Sequence, residues 1–246
     1  MPSDNQLKAL YERMYAPGHD YQMYRNEIRQ ILHSRKAVGV GFYRSSVFLN
    51  RYKPSPGDRL LEIGCGVGTF LLAAHRTGWQ VEGIDISETA LAASREVHHL
   101  PVRQGNFDDL LFDEGVFRVV ACWEVMEHLA HPAQFLARVR PLLRPDGVLV
   151  CSVPNNSSRS RVGSRVSGAG PPLHLNFWDE GSLRAFFTVN GWRPIRVVVP
   201  RSMLSTVNPL RQPMKFALRQ AGALIGMYEG PHLYAVAAPA EAAVTA

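Results

Sequence analysis

The sequence contains little cysteine, and its few thiols show no pattern. Its 246 residues include three cysteines, Cys65, Cys122 and Cys151, an odd number without paired spacing. Each lies in or beside an apolar run, where a free thiol behaves as a small hydrophobic side chain. We therefore expect neither a disulfide framework nor a zinc site, and the sequence predicts no metal ligands.

Long apolar stretches are lacking as well. No run approaches the roughly 18–20 apolar residues that a membrane-spanning helix requires. The first six residues have neither the basic nor the apolar region of a secretory signal. With 46% hydrophobic and 20% charged residues, the composition is that of a globular protein. These features predict a cytoplasmic protein built around one large α/β domain.

Acidic residues are scarce in the last part of the chain. Residues 1–150 carry 17 basic and 17 acidic side chains, whereas residues 151–246 carry 10 basic and 4 acidic ones, so the net charge of +6 arises there. Such an excess fits an anionic partner, which can be a phosphorylated or carboxylated small molecule, an anionic membrane surface or nucleic acid. A basic face that only aids solubility explains the same numbers.

A change in the apolar period divides the chain near residue 53. The spacing before it predicts a helical cap over residues 1–52, followed by a turn rich in Pro and Gly. Short apolar runs then alternate with amphipathic segments across residues 53–246, which predicts βαβ units and a doubly wound, mostly parallel α/β sheet. The predicted strands are Leu60–Ile63, Val81–Ile84, Phe117–Cys122 and Val148–Val153, and the predicted helices are Thr69–Thr77, Ser87–His98 and Pro132–Leu143.

The pattern after residue 172 differs. A predicted helix, Asp179–Asn190, leads to a strand, Pro194–Val199, and the last strand, His232–Ala238, follows an insertion of residues 200–231. We expect these two strands to pair antiparallel at the sheet edge. Within the insertion, residues 211–228 combine an apolar face with a basic stripe. This segment predicts a helix that covers an active site or lies on an anionic membrane surface, or one that only packs on the sheet.

Three glycines, Gly64, Gly66 and Gly68, lie between the first predicted strand and its helix. Glycines let the backbone come close to a ligand, and a helix N-terminus offers amide donors, so this turn predicts a nucleotide site. Asp85 ends the next strand, 21 residues after Gly64, where a carboxylate can hold ribose hydroxyls. A dinucleotide fingerprint needs glycine where Thr69 stands, which disfavours an NAD-dependent enzyme.

Six short motifs follow one another in order between Leu60 and Ala238. They are Glu62-Ile63-Gly64-Cys65-Gly66-Val67-Gly68, Gly83-Ile84-Asp85-Ile86-Ser87, Gly105-Asn106-Phe107-Asp108, Glu124-Val125-Met126-Glu127-His128, Leu143-Arg144-Pro145-Asp146-Gly147 and Pro172-Leu173-His174-Leu175-Asn176-Phe177-Trp178. Together they resemble the class I S-adenosylmethionine-dependent methyltransferases. The resemblance is greatest to the small-molecule branch, which includes ubiquinone-biosynthesis O-methyltransferases and enzymes of glycan and natural-product pathways. It implies a Rossmann-like sheet of seven strands with the last one antiparallel.

The resemblance also implies S-adenosylmethionine as cofactor and a set of binding residues. Those expected at its methionine end are Arg44, Glu62, Gly64, Cys65, Gly66, Gly68, Cys122, Trp123 and Glu124. Those expected at its adenosine end are Asp85, Ile86, Asn106 and Phe107. Glu62 would face the ammonium group, Arg44 the carboxylate and Asp85 the ribose hydroxyls. The family often has Asp where Asn106 and Arg118 stand; an Asn oxygen can still accept from the adenine amino group.

Two histidines are candidate catalytic residues. A sulfonium methyl group is already activated, so the protein must align the acceptor and, for an oxygen acceptor, remove a proton. Histidine suits this role at neutral pH. His128 follows the strand Phe117–Cys122, and His174 follows Val148–Val153, at the edge where open α/β sheets bind ligands. For His128 a hydrogen-bonded structural role is the alternative.

The expected activity is methylation of oxygen in a small, sugar-linked or lipid-linked acceptor of a biosynthetic pathway. Two alternatives stay open: N-methylation of a small amine, and ribose methylation of RNA by means of the basic C-terminal part. Cys122-Trp123-Glu124-Val125 is unlike the Asn/Asp-Pro-Pro-aromatic turn of enzymes that methylate nucleic-acid amino groups. We therefore expect an anionic or amphiphilic small molecule as partner, peripheral membrane contact at most, and no nucleic acid.

Overall fold

The computed structural model describes Ala9 and residues 48–49, 51–157, 173–199, 214 and 232–240. Most of the predicted helical cap and of the insertion lies outside the described residues, and so does the helix predicted over residues 211–228 except Met214. The domain boundary predicted near residue 53 therefore stays a prediction.

Strands and helices alternate along the described chain from residue 59 onward. The strands are β1 (Arg59–Ile63), β2 (Gln80–Asp85), β3 (Val102–Gln104), β4 (Phe117–Trp123), β5 (Leu143–Pro154), β6 (Trp192–Val198) and β7 (His232–Pro239). The helices are α1 (Thr69–Arg76), α2 (Glu88–His98), α3 (Pro132–Val139) and α4 (Glu180–Val189), with 3₁₀ turns at Met126–His128 and Arg140–Leu142. No described helix is long and apolar enough to cross a membrane.

The seven strands form one sheet in the order β3-β2-β1-β4-β5-β7-β6. β1 pairs parallel with β2 and with β4, and β2 pairs parallel with β3, whereas β6 and β7 are antiparallel. The doubly wound sheet and its antiparallel last strand are thus confirmed. Because the strand order reverses between β1 and β4, the carboxyl ends of these two strands form the switch point at which open α/β sheets bind ligands.

The chain divides into two compact units, Met1–Trp123 with Ala133–Val150 and Glu124–Pro132 with Cys151–Ala246. In the first unit, the core contains an aromatic cluster. The Phe48 ring lies 6.3 Å from Phe70 and 6.1 Å from Trp79, and Phe70 meets Trp123 edge to face at 4.9 Å. Trp123 is the last residue of β4, so this packing fixes the carboxyl end of that strand.

In the second unit, α4 and the β6–β7 pair carry the apolar core. Leu183, Phe187 and Trp192 are buried. A capping box starts α4: the Asp179 carboxylate accepts the Ser182 amide at 2.7 Å, and the Ser182 hydroxyl accepts the Asp179 amide at 2.9 Å. This reciprocal pair satisfies two backbone donors that a helix start otherwise leaves open.

β5 begins earlier than the sequence pattern indicated. The helix predicted over Pro132–Leu143 consists of α3 and the 3₁₀ turn Arg140–Leu142. β5 then starts at Leu143, so Asp146 and Gly147, which precede the predicted strand Val148–Val153, lie inside it. A Cβ atom at Gly147 would lie 2.9 Å from the Arg144 carbonyl oxygen and 3.0 Å from the Phe117 carbonyl oxygen. The glycine therefore serves a close approach between strands and does not mark a chain reversal.

Arg118 belongs to an ion-pair network at the start of the first unit's strands. Asp58, whose side chain is 3% exposed, accepts from the Arg118 guanidinium and, at 2.9 Å, from that of Arg144. Burial by itself raises the pKa of Asp58, but the Ser55 amide and the two guanidinium groups outweigh it, so its pKa lies below the ordinary value of 3.8. The residue that departs from the family pattern thus stabilises the fold.

Asp58→Asn should lower the free energy of unfolding at pH 7 by about 1–2 kcal/mol, or roughly 2–8 °C in Tm. We expect a modest value because solvent screens arginines that are 30% and 34% exposed. A carboxyl with a lowered pKa stabilises the fold above its unfolded pKa, and this is lost as the pH falls through the folded pKa. The Tm difference from wild type should therefore be constant above about pH 5 and shrink below about pH 3.8; a difference that grows in acid would contradict this account.

Candidate functional site

The predicted glycine loop lies between β1 and α1 in the first unit. Gly64, Gly66 and Gly68 have φ angles of 72°, 53° and 76°, a region that residues with a side chain rarely adopt. The amides of Gly64 and Cys65 both donate to the Ile84 carbonyl oxygen at 2.9 Å, which ties the loop to β2. Gly68 precedes α1 as its N-cap residue and has no side chain to cap it, so the amides of the first turn of α1 can serve a ligand.

Asp85 connects the end of β2 to the glycine loop. Its two carboxylate oxygens accept the backbone amides of Gly66 and Ser87, each at 2.8 Å. Each carboxylate oxygen can accept a second hydrogen bond, so the side chain can also hold two ribose hydroxyls. Asp85 therefore orders the loop as well as offering the predicted ligand contact.

Cys65 and Gly83 pack the loop tightly against β2. A Cβ atom at Gly83 would lie 2.9 Å from the Cys65 sulfur and 2.8 Å from a Leu71 methyl carbon. Burial, together with the Asp85 and Glu62 carboxylates, raises the pKa of the Cys65 thiol well above its usual value. The thiol therefore stays protonated, and its role is packing, not chemistry.

The donor and acceptor set of the loop fits S-adenosylmethionine. Glu62 is fully buried at the end of β1, and a buried carboxylate is stabilised by a cationic group such as the cofactor's ammonium. Asp85 offers acceptors for the ribose. The left-handed glycines leave backbone rather than side chains next to the ligand.

The remaining predicted cofactor residues of the first unit differ in burial and in the contacts that they make. The Phe107 ring packs between Phe112 and Phe135, with ring centroids 5.7 and 5.3 Å away. The Asn106 side-chain oxygen accepts the Asp108 amide at 3.3 Å. Ile86 is half-buried, whereas Cys122 and Trp123 are buried at the end of β4. Their contacts with the cofactor stay predictions, and Arg44 lies outside the described residues.

A second group of polar side chains lies in the second unit and begins with Glu124. This residue adopts a left-handed backbone conformation with φ of 55°, which is uncommon for a residue with a side chain. Its carboxylate accepts the Ser152 hydroxyl at 2.7 Å and lies 3.1 Å from His232 Nδ1. The strained backbone directs this acid into a hydrogen-bonded position, as is frequent at functional sites.

Glu127, His128 and His174 come together in the same unit, and we call them the Glu–His cluster. One potential ligand atom of each residue lies within 4.8 Å of those of the other two. The His128 and His174 rings meet edge to face, with centroids 4.8 Å apart, and His128 Nε2 lies 3.8 Å from a Glu127 carboxylate oxygen. The structure thus brings together the two histidines that the sequence suggested as catalytic.

Hydrogen bonds hold the segment that carries His174 against the 3₁₀ turn Met126–His128. The amides of Leu175 and Asn176 donate to the Glu127 carbonyl oxygen at 2.7 and 3.0 Å. The Asn176 side-chain amide donates to the Met126 and Leu129 carbonyl oxygens at 3.2 and 2.7 Å. These four contacts explain how His174 reaches His128 across 45 intervening residues.

The protonation of the cluster follows from its burial. His128 Nδ1 lies 2.8 Å from the Leu173 carbonyl oxygen and donates to it, so Nε2 carries the lone pair in the neutral ring. Burial lowers the pKa of His128, which favours that neutral form. Burial and the nearby Glu124 carboxylate raise the pKa of Glu127 to about 9. An acceptor nitrogen and a buried acid therefore lie next to each other.

The comparison with known proteins identifies the family. The family described as a methyltransferase domain matches residues 41–197, more than half of the chain. The chain belongs to this family. The resemblance inferred from the six motifs is thus confirmed, and the described core is an S-adenosylmethionine-dependent methyltransferase domain.

Individual relatives of this methyltransferase are themselves named as methyltransferases. The ubiquinone biosynthesis O-methyltransferase of Maricaulis maris is 32% identical over 139 residues, which cover 52% of this chain and 55% of that enzyme. Nocamycin O-methyltransferase of Saccharothrix syringae is 33% identical over 202 residues, covering 76% of this chain and 67% of that one. The match thus spans only about half the length of the first relative.

A solved structure shows the same fold. Phosphoethanolamine N-methyltransferase 2 of Haemonchus contortus, solved with S-adenosyl-L-methionine, has a TM-score of 0.66 to this methyltransferase at 16% identity. The similarity covers 94% of this chain and 60% of that one. At this identity the likeness concerns the fold alone.

Three residues of the second group of polar side chains, Glu127, Ser152 and Asn176, have no role that the sequence predicted. Glu127 belongs to a quoted motif, and its position beside His128 and three residues after Glu124 was the available signal. Ser152, inside the apolar β5, and Asn176, in the loop after His174, gave no such signal. Their importance in this methyltransferase arises only from hydrogen bonds to distant residues.

Proposed function

We propose that the protein transfers the methyl group of S-adenosylmethionine to an oxygen atom of a small-molecule acceptor. The observation that carries this proposal is the Glu–His cluster, in which the His128 and His174 rings meet edge to face with centroids 4.8 Å apart and burial lowers the pKa of His128. An imidazole held neutral in this way can accept the proton of a hydroxyl group at neutral pH. The O-methyltransferase names of the two relatives support oxygen as the methylated atom.

In this proposal the residues at the glycine loop bind the cofactor, and a histidine of the Glu–His cluster accepts a proton. S-adenosylmethionine supplies an activated methyl group. Glu62 holds its ammonium, and Asp85 holds its ribose while ordering the glycine loop. His128 or His174 accepts the acceptor's proton. A base of this kind contributes roughly 10²–10⁴-fold to the rate, and alignment of the reactants contributes the rest.

A panel of acceptors tests this function. The full chain is incubated with S-adenosylmethionine bearing a labelled methyl group and with phenols, catechols, sugar hydroxyls, small amines or an RNA transcript, and products are identified by mass spectrometry. We expect a labelled methyl ether from a hydroxyl compound. If only amines are methylated, the protein is an N-methyltransferase. If only RNA ribose is methylated, it is an RNA ribose methyltransferase. Either result would contradict O-methylation of a small molecule.

The acceptor in this proposal is anionic or amphiphilic and is taken up near a membrane surface. The support is the excess of 10 basic over 4 acidic side chains in residues 151–246. Basic side chains near an anionic bilayer contribute roughly 1 kcal/mol each to binding.

Wild-type protein should therefore sediment with anionic but not with neutral liposomes at low salt. Deletion of residues 211–228 should reduce this binding and abolish methyl transfer while S-adenosylhomocysteine still binds, because the glycine loop lies elsewhere in the chain. Equal recovery with both kinds of vesicle would exclude the membrane contact. Normal turnover by the deletion variant would exclude a role of the segment over the active site.

A further inference from the structure

We propose that Arg138 is a positioning residue of the cofactor site: it holds the segment of residues 105–110 in place and thereby sets the affinity and selectivity for the adenine base. The sequence predicted only that Asn106 and Phe107 border this base. The role of Arg138 rests on the proposed function through its cofactor, S-adenosylmethionine. It does not depend on which atom of the acceptor is methylated.

The segment of residues 105–110 follows β3 and begins beside the residue that is expected to hold the ribose. The Gly105 amide donates to the Asp85 carbonyl oxygen at 3.0 Å. A Cβ atom at Gly105 would lie 3.1 Å from the Leu110 side chain, so the segment turns back on itself. Because the base of a nucleoside is bonded to its ribose, we expect a segment tied to Asp85 to border the adenine.

Arg138 donates to two carbonyl groups of this segment through different nitrogen atoms of its guanidinium group. Its Nε lies 3.1 Å from the Phe107 carbonyl oxygen, and its Nη2 lies 2.7 Å from that of Leu110. The Asp108 carboxylate lies 3.8 Å from the same Nε, but it is 72% exposed and adds little. The planar fork of an arginine suits two acceptors at once, whereas a lysine ammonium is a single point of charge. Arg138 therefore fixes the turn between Phe107 and Leu110.

The Phe107 ring is occupied by contacts with α3. It meets Phe135 edge to face with centroids 5.3 Å apart, and the Arg138 guanidinium carbon lies 5.2 Å from its centroid. We therefore expect polar groups of the segment to recognise the adenine. These are the Asn106 side-chain oxygen and the Phe107 amide, which donates to no residue that the structure describes. Hydrogen bonds weaken steeply when their geometry is distorted, so recognition of this kind requires a fixed segment.

Titration with two analogues of the cofactor that differ only in the base tests this role. S-adenosylhomocysteine carries adenine. S-inosylhomocysteine carries hypoxanthine, in which a carbonyl group replaces the amino group and the neighbouring ring nitrogen becomes a donor. The wild-type full chain should bind S-adenosylhomocysteine about 10-fold or more tightly than S-inosylhomocysteine in calorimetry, because the hypoxanthine edge opposes like groups of the segment.

Arg138→Gln should reduce the affinity for S-adenosylhomocysteine about 10-fold and that for S-inosylhomocysteine less than about 3-fold. Without the guanidinium, the carbonyl group of the buried Phe107 loses its donor and the segment shifts. Arg138→Lys keeps the charge and a donor but not the fork, so its preference for adenine should lie between those of Arg138→Gln and wild type. The matched control is Arg140→Gln, which changes an exposed arginine two residues further along and should bind both ligands like wild type.

Circular dichroism shows whether each variant is folded, and Arg138→Lys carries the test if Arg138→Gln does not fold. Equal losses of affinity for both ligands would make Arg138 a merely structural residue. Unchanged affinity for S-adenosylhomocysteine, or a wild-type chain without preference between the ligands, would also overturn the inference. The titration contains no acceptor, so these results are distinct from a failure of the acceptor panel. A wild-type chain that does not bind S-adenosylhomocysteine would contradict the proposed function and this inference together.

Discussion

Asp85→Ala should weaken the binding of S-adenosylhomocysteine by about 1.5–3 kcal/mol, or roughly 10- to 100-fold. The carboxylate is expected to hold the ribose hydroxyls by charge-assisted hydrogen bonds. It also accepts the amides of Gly66 and Ser87 at 2.8 Å, so the substitution loosens the glycine loop as well. Isothermal titration calorimetry with S-adenosylhomocysteine measures the effect.

Two further variants show whether the loss of affinity comes from the contact between Asp85 and the cofactor or from a general loss of stability. Asp113→Ala removes an acid of the first unit whose side chain is 79% exposed, and its affinity should equal that of wild type. Asp85→Asn keeps one oxygen acceptor but turns an amide group toward a backbone donor, so its affinity should lie between those of the other two proteins. Wild-type affinity in Asp85→Ala would remove Asp85 from the cofactor site.

At least one of the single variants His128→Asn and His174→Ala should lower kcat by about 10²-fold or more with an acceptor that the panel identifies. Asparagine at position 128 can still donate to the Leu173 carbonyl oxygen, which His128 Nδ1 contacts at 2.8 Å, but it lacks the Nε2 acceptor. The dissociation constant of S-adenosylhomocysteine should change less than 2-fold, because neither histidine belongs to the glycine loop. Single-turnover kinetics separates the chemical step from product release.

The control for this pair is His131→Gln, which changes an exposed histidine three residues after the 3₁₀ turn Met126–His128 and should retain normal turnover. A loss of cofactor binding in either cluster variant would mark that histidine as structural. Near-normal turnover in both variants would mean that the reaction depends on alignment alone or that another group takes the proton. The double variant adds little to the larger single effect if both side chains serve one step.

The sequence by itself determined the elements whose signals are local. The short apolar runs from residue 59 onward predicted β1, β2 and β4 within one residue at each end, and they placed the start of β5 five residues too late. The predicted helix Ser87–His98 is confirmed as α2, and Ser87 caps it because its hydroxyl accepts the Ala90 amide at 3.3 Å. The glycine loop and Asp85 could be predicted from the sequence because a turn next to a ligand requires particular residue types at a fixed spacing. β3 gave no apolar run, since only Val102 of its three residues is buried.

Only the tertiary structure decided which polar residues meet. Asp58 and Arg144 are 86 residues apart, and their ion pair, together with the close strand contact at Gly147, accompanies the extension of β5 beyond the predicted strand Val148–Val153. The Glu–His cluster likewise depends on backbone amides of residues 175 and 176 that donate to the Glu127 carbonyl oxygen. Such contacts leave no periodic trace in the sequence, because backbone groups are the same in every residue and their partners are chosen by the fold.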